Sequence, residues 1–176
     1  MTEVSNDADG IEKRIQGGLC SVEEMATLVG SSVEIDRLIA AQSDASTGVL
    51  EILSQSSDSA TREAVTGNPG TPRELLTSLA WDFPRALLLN PAFDLMIFED
   101  PGFLSRLGET TISNILKQKE CPVSIINWAY ASYKKKELGA EVLKGIVKNP
   151  NTPIEMIKTV LRIKTSEEIS CEEGPL

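Results

Sequence analysis

The side chains able to do chemistry in this chain are few, and the first constraint is an absence. Its 176 residues include no histidine, which removes Ser-His-Asp and Cys-His nucleophile arrangements and most zinc sites. The three cysteines, Cys20, Cys121 and Cys171, lie far apart and form no Cys-x-x-Cys pair. Neither a disulfide framework nor a metal clip is expected from them. Nothing around Cys121 points to a depressed thiol pKa. Gly17-Gly18 lacks a following Gly-Lys-Ser/Thr, so it makes no phosphate loop and instead ends a first helix over Ile11 to Gln16. A Ser-Lys or paired-carboxylate site would need acids that capping and solvation do not already explain, and none stands out. The expectation is a non-catalytic chain with no cofactor and no metal.

What remains is binding chemistry, in two clusters. Trp128, Tyr130 and Tyr133 run directly into Lys134, Lys135 and Lys136. Rings beside cations suit stacked single-stranded nucleic acid. The competing reading is structural: Trp128 falls on the apolar face set by Ile125, and a lysine run at a helix end faces the negative end of the helix dipole. The second cluster is Trp81-Asp82-Phe83-Pro84-Arg85, whose rings, if held in a solvent-facing loop, would anchor a partner protein.

Charge is unevenly distributed. Residues 1–105 hold 6 Lys/Arg against 17 Asp/Glu, residues 106–164 hold 11 against 5, and the last twelve residues return to net −4. The overall net charge of −9 disfavours nucleic acid, yet the basic stretch 106–164 keeps that partner as the alternative to a protein. The polar, acidic start has neither the basic nor the apolar region of a signal peptide, and no stretch approaches the roughly 20 apolar residues of a membrane span. A cytoplasmic protein without a membrane partner is expected.

The elements that would position these side chains are marked by a recurring turn. Asn68-Pro69-Gly70-Thr71-Pro72 returns as Asn149-Pro150-Asn151-Thr152-Pro153, and weaker copies include Asn90-Pro91-Ala92-Phe93-Asp94, Glu120-Cys121-Pro122 and Ser43-Asp44-Ala45-Ser46-Thr47. Asparagine tolerates the conformation that ends a helix, and the proline after it cannot continue one. Thr71 and Thr152 then read as N-caps, with Pro72 and Pro153 in the first helical position and Glu74 and Glu155 completing capping boxes. The same Ser/Thr-x-x-Glu spacing occurs at Ser21 to Glu24, Ser31 to Glu34 and Thr165 to Glu168. Short apolar runs such as Leu75, Leu76 and Leu79 follow each start at helical spacing. Units this short bury their apolar faces only by stacking on neighbours, which is the logic of a solenoid.

The Asn-Pro-x-Thr-Pro turn, the Ala-Val or Ile-Val element before it and the Leu-rich helix after it resemble the variant leucine-rich repeat family of bacterial proteins. The resemblance covers roughly residues 31–164. It implies an all-α fold in which short α and 3₁₀ helices alternate along a right-handed superhelix without strands. The founding member's iron–sulfur domain needs clustered cysteines, which this sequence lacks. The expected organisation is a disordered acidic segment at 1–10, one solenoid domain over 11–164, and an acidic tail or capping helix at 165–176. The expected function is to hold another protein.

Overall fold

The computed structural model describes residues 3–162, with side chains from Asp9 onward. It is all-helical, and no strand occurs among the described residues. The chain divides into two compact units, Met1–Arg106 and Leu107–Leu176.

The first unit contains α1 (Glu3–Gln16), α2 (Val22–Leu28), α3 (Val33–Ala40), α4 (Thr47–Leu53), α5 (Ser59–Gly67), α6 (Arg73–Leu79), α7 (Pro84–Leu89), α8 (Phe93–Glu99) and α9 (Phe103–Arg106). The second contains α10 (Glu109–Leu116), α11 (Val123–Lys134) and α12 (Glu141–Lys148), followed by a helical stretch over 154–162. The first helix ends at Gln16 as expected but begins at Glu3, inside the segment 1–10 expected to lack structure. The 3₁₀ helices implied by the resemblance are not found: every helix among the described residues is α.

Most of these helices run only two turns, too short to persist alone in water, so packing must hold them. In the first unit α3 lies against α1 and α5, and α5 lies against α7. The shared core includes Ile15, Met25, Ile39, Leu50, Leu53 and Val65. Burying each large aliphatic side chain contributes about 1.5–3 kcal/mol. In the second unit α10 packs on α12 and α11, over Ile112, Ile115, Leu116, Ile126, Leu143 and Ile146, all fully buried. Gly145 allows the close approach of α12 to α10, since a Cβ there would stand 2.8 Å from the Leu116 Cβ.

The hinges are built differently from the capping box that the sequence predicts. The hydroxyl of Thr71 donates back to the Val65 carbonyl at 2.6 Å, and that of Thr152 to Ile146 at 2.5 Å. Both threonines are buried and close the preceding helix instead of opening the next. The N-cap position of α6 falls on Pro72, without a side-chain cap, and the helix after Pro153 begins at residue 154. The threonine hydroxyls are engaged on the preceding helix, and Pro72 is itself extended, at φ −59° and ψ 149°, so the helix starts one residue later. A real capping box does form at Ser21 and Glu24. The next cap is Ser32, accepting from the Ile35 amide, one residue later than Ser31. The Thr165 to Glu168 box lies outside the described residues.

The hinge asparagines do work that no local rule assigns. The Asn68 amide donates to the carbonyls of Ala40 and Gln42, both at 2.7 Å. Asn90 repeats the pattern on Thr66 and Asn68, and Asn149 on Leu116 and Gln118. Each side-chain oxygen accepts from the amide two residues on, at Gly70, Ala92 and Asn151. All three asparagines are buried, so each spans from its own turn to the end of an earlier helix, where it satisfies the carbonyl of Ala40, Thr66 or Leu116 and adds a second donor to that of Gln42, Asn68 or Gln118, which also accept from the amides of Ala45, Thr71 and Cys121. Pro69, Pro91 and Pro150 follow these asparagines and stop the helix before each of them.

Candidate interaction surface

The structure separates Trp81 and Phe83, the two rings expected to act together in one cluster. Trp81 is 56% exposed after α6. Phe83 is only 9% exposed and belongs to the core of the first unit, with the Arg62 guanidinium over its ring at 5.7 Å. Phe83 is therefore a packing residue, because Pro84 opens α7 immediately after it and sets Phe83 at the helix entry. Arg85, the third residue of this cluster, is exposed on α7.

In the other cluster, α11 buries Ile125, Ile126, Ala129 and Ser132. Trp128, Tyr130 and Tyr133 fall at the edges of that buried stripe and are half-buried. Lys134 lies over the Tyr130 ring at 5.0 Å, one turn along the helix. Lys134, Lys135 and Lys136 are exposed. Lys136 adopts φ 63°, the left-handed turn that ends α11, with the Glu137 amide donating to the Ser132 carbonyl at 3.0 Å.

The basic half does not present uninterrupted positive charge. Lys144 pairs with Glu141 at 2.6 Å and Lys135 approaches Glu137 at 4.0 Å. Lys117 donates to the Asn114 side chain at 3.0 Å. An open depression of about 520 Å³ is lined by Tyr133, Lys134 and Lys136, but also by Glu109 and Glu137. Carboxylates placed among the lysines would repel phosphate groups as the lysines attract them.

Charged residues of the first unit serve the framework. Asp58 caps α5 and accepts from the Thr61 amide and hydroxyl, both at 2.8 Å. It also takes a two-pronged contact from Arg37 at 2.7 and 2.8 Å, joining α3 to α5. The Arg37 guanidinium, with Thr61, holds the Asp58 carboxyl well below the usual carboxylate range. Arg106 does the same for Asp100, and Arg73 pairs with Glu99. Burial pushes the Cys121 thiol up to about 12, so it is not a nucleophile at neutral pH. Among the described residues no group of three or more Cys, Asp or Glu side chains is placed to hold a metal ion, and no helix is long and apolar enough to cross a membrane.

The most exposed aromatic is not among the expected partner contacts. Phe98 on α8 is 83% exposed, and Leu95, one turn earlier on the same face, is 59% exposed. The opposite face of this helix carries Phe93 and Met96, both buried, with Phe93 edge-on to Phe103 at 6.2 Å. The signal was present in the first turn of α8, where Asp94 stands in the place held by Pro72 and Pro153 in the strong copies.

No family model, curated protein or solved structure matches the chain.

Proposed function

We propose that this chain is a non-catalytic binding module, a short α-solenoid of the variant leucine-rich repeat kind, that holds another protein in the cytoplasm. The observation that carries this reading is the pairing of a rigidly tied framework with large apolar side chains left in solvent, Phe98, Leu95 and Trp81 among them. Exposed aromatics on ordered elements are the usual anchors of protein interfaces, and the polar groups held most firmly here are engaged in hinges and caps. The recurring asparagine turns and the contacts of α3 with α1 and α5 support stacking of successive helix pairs, as the resemblance implies. Superhelical handedness belongs to the same proposal.

Nucleic acid is the second reading, resting on the lysines of 106–164. The interleaved Glu109, Glu137 and Glu141 weigh against it. Titration with a labelled single-stranded oligonucleotide at low and physiological salt separates the two. The protein-binding reading expects no saturable binding at physiological salt. Tight binding that weakens steeply as salt rises, by release of phosphate counterions, would favour nucleic acid.

A further inference from the structure

We propose that α8 is the docking face for a basic amphipathic segment of a partner protein, which receives Phe98 and Leu95 in its apolar side. The inference rests on the binding-module reading and names where and what that module binds.

The argument starts from register. Gln42 and Gln118 stand in the hinge position, since their carbonyls accept from Asn68 and Asn149 as that of Asn68 accepts from Asn90; after these and the other hinges the helix begins five residues on: Thr47 after Gln42, Arg73 after Asn68, Val123 after Gln118, and residue 154 after Asn149. After Asn90 it begins only three residues on, at Phe93. Pro72, Pro122 and Pro153 hold the residue before them extended, and Ser46 delays α4 through its side-chain cap on the Val49 amide. Asp94 imposes no such delay, so Phe93 enters the helix and the start moves back by two residues. At 3.6 residues per turn that rotates the helix by about 200°. The residue eight beyond the hinge is fully buried at Leu50, Leu76 and Ile126 and half-buried at Ile157. At Phe98 the same position faces solvent.

The outcome is a helix apolar on two opposite sides, a pattern normally seen only when both sides are covered. The inner side is covered by the fold. The outer side needs an occupant, and charge selects it. Asp94 and Glu99 flank Leu95 and Phe98 on α8, Glu99 already in an ion pair with Arg73, and the unit Met1–Arg106 as a whole carries 7 Lys/Arg against 17 Asp/Glu, net −10. A second copy docking through this unit would bring two surfaces of like net charge together, and an anionic bilayer would be repelled in the same way. A cationic amphipathic helix satisfies both demands, apolar side chains closing around Phe98 and Lys/Arg meeting the acidic surround.

The test uses the full chain and fluorescently labelled helical peptides: Leu/Lys amphipathic, Leu/Glu amphipathic, and a Ser/Lys peptide without an apolar face. The Leu/Lys peptide is expected to bind and the other two are not. Phe98→Ser and Leu95→Ser should each weaken binding by about tenfold, the scale of an interface anchor, with unchanged melting temperature because both side chains are exposed. Absence of Leu/Lys binding, or equal binding by the Phe98→Ser chain, overturns the α8 assignment; protein capture from a lysate would still uphold the module reading. A dimer in light scattering that Phe98→Ser makes monomeric assigns the face to a second copy instead, and pelleting with anionic phosphatidylserine vesicles, lost in Phe98→Ser, assigns it to a membrane surface.

Discussion

The side-chain amide of Asn90 donates to the backbone carbonyl of Asn68 at 2.8 Å, so one hinge is tied to the main chain of the hinge before it. Asn90→Ala removes that bond and its companion to Thr66, leaving the buried Thr66 carbonyl without this donor while the Asn68 carbonyl keeps only the Thr71 amide. The expected loss is on the order of 1–3 kcal/mol, read as a lower urea midpoint. Asn90→Asp should be worse, since a carboxylate would face those same carbonyls. Wild-type stability in either variant would contradict the role given to the hinge.

Gly145→Ala sets two effects against each other. Alanine in a helix interior gains roughly 0.5–1 kcal/mol over glycine, but its Cβ would sit 2.8 Å from the Leu116 Cβ, and overpacking a core costs about 1–3 kcal/mol. The contact is with an atom fixed to the backbone of α10, so strain should win. Calorimetry is expected to show a lower melting temperature, and a higher one would mean that α12 moves away freely.

Asp58→Asn keeps a good N-cap on α5 and removes the charge that pairs with Arg37. A carboxyl held low in the folded state contributes stability that is fully present above its unfolded value of roughly 3.9 and is lost as pH falls through the folded value. The variant should therefore melt below wild type at neutral pH, with the gap closing as pH drops below about 4. Paired melting curves across that range check it, and a gap independent of pH would sink the assignment.

Lys136→Gly should stabilise the second unit by about 1 kcal/mol, because φ 63° is costly for any residue with a Cβ and free for glycine. The urea midpoint checks the direction. A destabilised variant would show that the lysine side chain compensates for its backbone.

Much of the fold could be read from the chain because its signals are local. Asn-Pro pairs stop helices, the 3.6-residue spacing of Leu75, Leu76 and Leu79 marks the next one, and the lack of histidine narrows the chemistry. The long-range bonds were not legible. Asn68 reads as a helix terminator, yet its amide reaches Ala40 and Gln42 more than twenty residues away, a partner that only tertiary packing supplies. Phe83 reads as a loop ring, but Pro84 places it at a helix entry facing the core. Phe98 was missed for the opposite reason: a phenylalanine eight residues beyond a hinge looks like core, and only the absence of proline at Asp94 turns it outward. The cap at Ser32 in place of Ser31 is an ordinary one-residue ambiguity between adjacent serines.

The most direct test of the account is capture of proteins from a nuclease-treated native lysate, with the wild-type chain and the Phe98→Ser chain as parallel baits, read by quantitative mass spectrometry. The account predicts a discrete protein retained by wild type after nuclease treatment and depleted on the variant. Recovery of nucleic acid alone from untreated lysate, with no protein surviving nuclease, would contradict it.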